Sequence, residues 1–252
     1  MKKIVKKSKK IQTAGLIIKT IDVGESNRLL VIMTEDVGVI TAFAGGVRKH
    51  TSKLASGCGL FVYSMFDLVN SGDRYRVEDA SSKELFYNLR YDITSVALAS
   101  YFCEILSNIA LEGDDCKEYL PIMLNALHLL SKTDKDKYII KTVTEMRLMI
   151  AAGFKPNLEQ IECGHEDDLC FDYINGGLIC RACSLKDPNF RGVILNKTTL
   201  DALRFICKNG KNIYNFEIPK SDLLALNKIS EQYVIATTEH HYKTLESLKE
   251  LM

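Results

Sequence analysis

The sequence predicts an α+β chain in which a small closed β-barrel precedes a helical domain with a cysteine-rich insert. Three observations predict it. Short apolar runs broken by turns fill residues 11–80, apolar residues recur at helical spacing from residue 83, and four cysteines fall within residues 163–183. The expected division is a basic disordered tail (1–10), the barrel (11–80) and a helical domain (81–252) with the insert at 158–186.

Five β-like segments predict the barrel. They are residues 13–18, 28–33, 39–44, 60–69 and 75–77. The turn Glu35-Asp36-Val37-Gly38 separates the second from the third, and Gly45-Gly46 ends the third before a basic loop, residues 48–53. Five short antiparallel strands in about seventy residues are typical of a small closed barrel such as the OB-fold.

The remainder of the chain has the periodicity of helices. The expected helices are residues 85–109, a second from Asp114-Asp115 to Lys132, a third from Asp134 or Asp136 to Gly153, a fourth over 197–209 and a fifth over 219–248. Gly210 stands where a C-terminal helix cap would follow the fourth helix.

Four cysteines predict a structural zinc site. They are Cys163, Cys170, Cys180 and Cys183. The last two form a C-x2-C pair after a Gly-Gly turn, so one tight turn can point two thiolates at one ion. His165 could take the fourth place instead of Cys170, and buried or oxidised cysteines without metal are the alternative. Four protein ligands leave no open position, so such a site would be structural.

The remaining cysteines and the hydropathy predict the compartment. Cys58, Cys103, Cys116 and Cys207 stand singly in apolar or helical contexts, as core residues of a reduced compartment do. No window of about eighteen uncharged apolar residues exists, and no apolar segment follows the basic N-terminus. The expected location is cytoplasmic, without a membrane span.

Positive charge is concentrated at the N-terminal end. Residues 1–80 carry 13 Lys+Arg against 8 Asp+Glu, whereas residues 81–252 carry 20 against 24. Six lysines fall in the first ten residues. This asymmetry favours a polyanionic partner such as nucleic acid, and the alternative is a solvated tail that only aids solubility.

Several motifs, in order, resemble those of the bacterial RecO family. They are the run from Lys19 to Arg28, then Thr34, Gly38, Gly46, Arg48-Lys49 and Lys53, and the segment from Phe171 to Cys183. The resemblance spans residue 12 to the C-terminus and leaves out the lysine tail. One departure is Gln160, which stands where the family usually has the first cysteine of a C-x2-C-G motif.

The resemblance implies an N-terminal OB-fold, a helical domain and a zinc-binding insert. It also implies a non-enzymatic mediator of recombinational repair that binds single- and double-stranded DNA and anneals complementary strands. The implied protein partners are RecR, RecA indirectly, and the acidic C-terminal tail of single-stranded-DNA-binding protein.

On an OB-fold, basic side chains would follow the phosphates of a bound strand. The candidates are Lys19, Arg28, Arg48, Lys49, Lys53, Arg74 and Arg76. The nearby aromatic residues are Phe43, Phe61, Tyr63 and Tyr75, for which a core position is favoured over base stacking. Two other classes stay open: a zinc-dependent nucleic-acid-processing enzyme using acidic residues of the insert, and a protein-binding scaffold without DNA affinity.

Overall fold

A computed structural model describes residues 9–70, 74–161, 168–208, 210 and 212–252. The chain divides into two compact units, Met1–Lys132 and Thr133–Met252. The first unit contains β1 (Lys9–Val23), β2 (Asn27–Thr34), β3 (Val39–Ala44), β4 (Tyr63–Asn70), β5 (Tyr75–Glu84), a 3-10 helix (Tyr87–Tyr91), α1 (Ile93–Ile109) and α2 (Tyr119–Lys132). The expected boundary at residue 80 therefore falls inside β5, and α1 and α2 belong to the same unit as the five strands.

The five strands form a closed barrel in the order β1-β2-β3-β5-β4. The long strand β1 closes it by pairing with both β2 and β4. The expectation that all five strands are antiparallel is wrong for one pair, since β3 and β5 run parallel at Ala42–Tyr75 and Phe43–Arg76. The reason is the β4–β5 hairpin, which returns β5 to β3 in the same direction.

The barrel interior is filled by alternate residues of the strands, as the two-residue period of a strand requires. Its fully buried side chains include Ile17, Leu30, Ile32, Ala42, Phe66 and Leu68. The residues between them on each strand face outward. The interior is thus a packed apolar core, and any ligand surface of the barrel lies on its outside or at its ends.

The first strand begins earlier than the sequence predicts. Lys9 pairs with Asn70 and Lys10 pairs with Val69, so both belong to β1 and not to the tail expected over residues 1–10. Pairing with β4 accounts for this, because it satisfies the backbone groups of a polar segment that has no apolar pattern of its own. Residues 1–8 of that tail lie outside the described ranges.

The turn between β2 and β3 depends on Gly38. Its φ is +82°, and a Cβ at this position would stand 2.3 Å from the carbonyl oxygen of Asp114. The hydroxyl of Thr34 donates to the Gly38 carbonyl at 2.7 Å, and the Val39 amide donates to the Asp114 carbonyl at 3.1 Å. A glycine is required here by both the backbone conformation and the close approach of the loop before α2.

The first helical segment is divided. The expected helix over 85–109 is wrong at its start, because the 3-10 helix ends at Tyr91 and Asp92 then caps α1. The Asp92 carboxylate accepts hydrogen bonds from the Thr94 amide at 3.1 Å and the Ser95 hydroxyl at 2.6 Å. The second helix ends at Lys132 as predicted but begins later, at Tyr119.

The second unit combines helices with a small sheet that the sequence did not predict. It contains α3 (Lys137–Ala151), β6 (Asn157–Ile161), β7 (Leu169–Asp172), β8 (Gly177–Cys180), α4 (Arg181–Ser184), β9 (Gly192–Ile194), α5 (Lys197–Cys207), α6 (Lys220–Thr238) and α7 (Lys243–Lys249). The sheet has the order β6-β8-β7-β9. No helix of the described residues is long and apolar enough to cross a membrane.

Local capping explains where these helices begin and end. Of the two aspartates considered for α3, Asp136 is the cap, and its carboxylate accepts from the Tyr138 amide at 2.7 Å. Gly153, at φ +91°, follows the end of α3 as predicted. The expected cap at Gly210 is wrong, because α5 ends at Cys207 and Lys208 is its C-cap. The expected helix over 219–248 is two helices, separated at Glu239, whose φ is +48°.

A buried ionic network joins three helices of this unit. The Lys141 ammonium lies 2.8 Å from Glu145 on the same helix and 3.2 Å from Glu231 on α6. Lys249 on α7 completes the network, with its Nζ 2.6 Å from Glu231. The Ser230 hydroxyl donates to Glu145 at 2.6 Å. The side chains of Lys141 and Glu145 are 3% and 0% exposed, so neither charge is solvated by bulk water.

We predict that Lys141→Met destabilises the second unit by about 3–5 kcal/mol, because it removes the cation beside the fully buried Glu145 carboxylate, whereas Glu231 keeps Lys249 as a partner. Thermal and urea unfolding would measure the loss. Lys228→Met is the matched control, since Lys228 is an exposed lysine of α6. Equal stabilities of the two variants would contradict the prediction.

Candidate nucleic-acid interface

The loop that follows β3 is held against the turn between β1 and β2. The Asn27 side-chain oxygen accepts from the Gly46 amide at 2.9 Å, and the Ser26 carbonyl accepts from the Arg48 amide at 2.9 Å. The Arg48 guanidinium also donates to the Gly24 carbonyl at 3.2 Å. We call this arrangement the turn–loop clasp. It fixes the basic loop, residues 48–53, at one end of the barrel.

One carboxylate in the clasp is shared by two arginines. Asp22 lies 2.8 Å from the Nε of Arg28 and 3.5 Å from a terminal nitrogen of Arg48. The hydrogen bond from Arg28, with the positive charges of Arg28 and Arg48, holds the pKa of Asp22 below its usual range. Two guanidinium groups thus face one carboxylate, so the cluster of three side chains carries a net positive charge. Each arginine also uses part of its hydrogen-bonding capacity to hold the clasp together.

The lysines of the loop are differently placed. Lys49 and Lys53 are exposed, and neither forms an ion pair with another described residue. The backbone around Lys49 is nonetheless fixed by turns: its amide donates to the Gly46 carbonyl at 3.1 Å, and its carbonyl accepts from the Ser52 amide at 2.9 Å. The loop therefore presents two free cations on an ordered backbone.

A band of outward-facing residues runs around the barrel beside the clasp. Successive pairings join Lys10 to Val69, Val69 to Arg76, Arg76 to Phe43, Phe43 to Leu29 and Leu29 to Ile21. Because directly paired residues share a face, these six form one row, which we call the outer band. It combines one aromatic and three aliphatic side chains, all partly or fully exposed, with two cations.

The remaining basic candidates lie around this band. Lys19 pairs with Val31 in the neighbouring outward row and is exposed. Arg76 is in the band and forms an ion pair with Glu78. Arg74 is exposed just before β5. The structure thus brings Arg28 and Arg48 together at Asp22, with Lys49 next to Arg48 in the loop, while Lys19, Lys53, Arg74 and Arg76 lie at other positions of the barrel unit.

The aromatic residues divide between core and surface. Phe61 is 8% exposed, which confirms a core position. Tyr75 is paired with the buried Ala42 and packs against the barrel core. Phe43 alternates with the buried Ala42 and Ala44, so it faces outward in the band, contrary to the favoured core position. The Tyr63 hydroxyl donates to Glu35, and its ring lies under the Lys83 ammonium at 5.2 Å.

Sequence reasoning missed Lys10, Ile21, Leu29 and Val69 as parts of this surface. Each is an apolar or basic residue on a strand, and strand residues of that kind are usually assigned to the core or to a solvated edge. The signal that could have found them is register. Once Ala42 and Ala44 are placed inside, Phe43 must be outside, and its partners Leu29 and Arg76 must be outside with it.

The described part of the cysteine-rich segment contains three of the four predicted metal ligands, Cys170, Cys180 and Cys183. Cys180 and Cys183 lie on one tight turn, where the Cys183 amide donates to the Cys180 sulfur at 3.3 Å. Cys170 pairs with Ile179, whereas Cys180 pairs with Leu169, so the two cysteines lie on opposite faces of β7–β8. The Cys170 sulfur instead lies 3.7 Å from the Ser184 hydroxyl. The register therefore does not support the choice of Cys170 as a ligand.

The other two candidate ligands, Cys163 and His165, lie outside the described ranges. Within those ranges, no group of three or more His, Cys, Asp or Glu side chains is placed to hold a metal ion. Among the described residues, Cys180 and Cys183 are the two candidate ligands that share one turn. Zinc binding stays a prediction.

The four single cysteines are core residues, as predicted. Cys58, Cys103, Cys116 and Cys207 are all buried. Burial raises the pKa of Cys58 and Cys103 to about 12 and that of Cys116 and Cys207 to about 11. These thiols stay protonated at neutral pH, so they serve packing rather than nucleophilic chemistry.

Comparison with known proteins matches nearly the whole chain. The family model described as Recombination protein O N terminal matches residues 8–86, and the model described as Recombination protein O C terminal matches residues 90–246. The chain is 31% identical to the DNA repair protein RecO of Acetivibrio thermocellus, over 96% of this chain and 97% of that protein. It is 30% identical to the DNA repair protein RecO of Alkaliphilus metalliredigens, over 96% of this chain and 99% of that protein.

We predict that Asn27→Ala loosens the turn–loop clasp and lowers the free energy of unfolding by about 1 kcal/mol, because the Gly46 amide loses its acceptor. Amide hydrogen exchange should be faster at Gly46 and Arg48. Glu25→Ala in the same turn is the control, since Glu25 is exposed. Unchanged exchange at both amides would show that the loop is held by other contacts.

Proposed function

Since the chain belongs to the RecO family of DNA repair proteins, we propose that it binds DNA on its barrel and anneals strands without catalysing a covalent step. The outer band beside the turn–loop clasp carries this proposal. Apolar side chains there can contact bases, and the cations of the band and loop can contact phosphates. We further propose that the barrel is an OB-fold, which the strand order β1-β2-β3-β5-β4 supports.

Annealing requires two phosphate backbones to approach, and the barrier to this is their mutual repulsion. Lys49, Lys53 and the excess charge at Asp22, Arg28 and Arg48 would screen it without any chemistry on DNA. By family resemblance we propose two direct protein partners, RecR and the acidic tail of single-stranded-DNA-binding protein. We propose RecA as an indirect partner. The site of action we propose is cytoplasmic.

For the cysteine-rich segment, we propose a structural zinc ion held by Cys163, Cys180 and Cys183 with His165 in the fourth place. The amide-to-sulfur bond of the Cys180–Cys183 turn supports it, because such bonds stabilise thiolate charge. The opposite-facing Cys170 argues for His165 as the fourth ligand. A bound ion would tie the turn to the preceding segment and so contribute to the local folding of the insert.

We predict that Lys49→Ala with Lys53→Ala weakens binding to oligonucleotides of every sequence alike, since phosphate contacts carry no sequence information. On single strands, the slope of log affinity against log salt should fall by about 1.4, which corresponds to about two phosphate contacts. Fluorescence anisotropy across a salt series measures both quantities.

Lys117→Ala is the control for this pair, because Lys117 is an exposed lysine of the same unit already paired with Asp115 at 2.9 Å. It should leave affinity and slope unchanged. Retention of the wild-type slope by the Lys49/Lys53 variant would remove the basic loop from the DNA surface. A changed base preference would point to direct reading of base edges instead.

We predict that the purified protein contains about one zinc ion per chain and that Cys180→Ser releases it. His165→Ala should also release the ion, whereas Cys170→Ser should retain it. Metal analysis by mass spectrometry after exhaustive dialysis gives the content of each variant. A wild-type protein free of zinc would refute the proposed site, and release by Cys170→Ser with retention by His165→Ala would reverse the assignment of the fourth ligand.

A further inference from the structure

The second unit contains a cavity of about 560 Å³ beside the end of α5. Three basic residues line it: Lys155 from the segment between α3 and β6, and Arg204 and Lys208 from α5 and its cap. Leu158 and Cys207 are apolar members of the lining, and Glu159 is the one carboxylate among the described residues that line it. We call this the α5 cavity. Its volume lies within the range of about 300–1,000 Å³ usual for ligand sites.

The arginine of the cavity is held in place by the protein. The Nε and Nη2 atoms of Arg204 donate to the Leu158 carbonyl at 3.1 and 2.9 Å. This edge of the guanidinium is therefore occupied by a main-chain oxygen. Its Nη1 atom lies 4.0 Å from the Asp201 carboxylate, and its paired donors on the occupied edge are not available to a ligand.

A fourth cation stands beside the cavity. The Arg147 guanidinium on α3 donates to the Lys208 carbonyl at 3.5 Å. Burial raises the pKa of the Cys207 thiol to about 11, whereas the positive charges of Arg147 and Lys155 act to lower it. Positive charge from α3 and from the segment before β6 thus acts on Cys207, a residue of the cavity lining.

Composition does not account for this cluster. Residues 133–252 carry 16 Lys+Arg against 17 Asp+Glu, so the unit as a whole is nearly neutral. Lys208 follows the last residue of α5, and a cation is favoured there by the partial negative charge of a helix C-terminus. That effect explains one lysine. It does not explain Lys155, which lies on a different segment.

We propose that the α5 cavity binds a phosphate group of a second nucleic-acid strand, while the barrel holds the first. This rests on the proposed annealing function, which requires one protein to bring two backbones together. The ligand class follows from the donors. Lys155 and Lys208 are exposed and form no ion pair with another described residue. Ammonium groups act as point charges that suit a phosphate, and one of the two edges of Arg204 that could grip a planar carboxylate with two parallel bonds is already occupied.

The test measures whether one protein holds two strands that cannot pair with each other. The full-length protein is mixed with donor-labelled and acceptor-labelled oligothymidine, and energy transfer between the labels reports a complex of two strands. Lys155→Gln with Lys208→Gln should abolish the energy transfer while leaving the affinity for the first strand unchanged. Glu159→Gln should have the opposite effect and strengthen the capture of the second strand, because it removes the carboxylate that opposes the phosphate.

Lys197→Gln with Lys228→Gln is the matched control, since these are exposed lysines of α5 and α6 outside the cavity. It should preserve the energy transfer. Two results would overturn the proposal: undiminished energy transfer in the Lys155/Lys208 variant, or binding of one strand by the wild type without energy transfer. The second of these would leave DNA binding by the barrel standing, whereas a wild type that binds no oligothymidine would refute the proposed function itself.

Discussion

The hydrogen bond from the Gly46 amide to the Asn27 side chain determines where the basic loop of the barrel lies. Without it, residues 45–53 would leave β3 in a direction set by two consecutive glycines, which restrict the backbone little. With it, and with the Ser26–Arg48 bond, the loop returns over the β1–β2 turn and borders the outward residue Phe43. The conformation of the loop therefore depends on a side chain from a different hairpin.

The two units hold charge in different ways. At the clasp, Asp22 and its arginines are partly exposed, so each pair contributes little to stability and the arrangement chiefly orients the backbone. In the second unit, Lys141 and Glu145 are buried and every charge in the network has a partner. Removing one member there leaves an uncompensated charge in a medium of low dielectric constant. A substitution at the clasp should therefore cost less folding stability than a substitution in the buried network.

The sequence predicts the features that depend on local signals. Near neighbours in the chain determine the strand runs, the Gly45-Gly46 break, an aspartate cap for α3 at residue 134 or 136, and the core positions of the single cysteines. The parallel β3–β5 pair, the clasp and the small sheet of the second unit are not, because each joins segments far apart in sequence. Phe43 illustrates the limit: its residue type suggests a core position, and its outward direction is determined by alternation with two small alanines.

The outer band also constrains how this barrel can change over evolutionary time. Its six residues come from all five strands and meet through register. Insertion of one residue into β2 or β3 would turn Leu29 or Phe43 inward and bring core residues to the surface. The band can therefore diverge by substitution in place but not by changes in strand length. Insertions and deletions should be confined to the turns and loops at the ends of the barrel, so the pairing of Ile21 with Leu29 and of Leu29 with Phe43, rather than their spacing along the chain, becomes a criterion by which related barrels can be aligned even where the residues themselves differ.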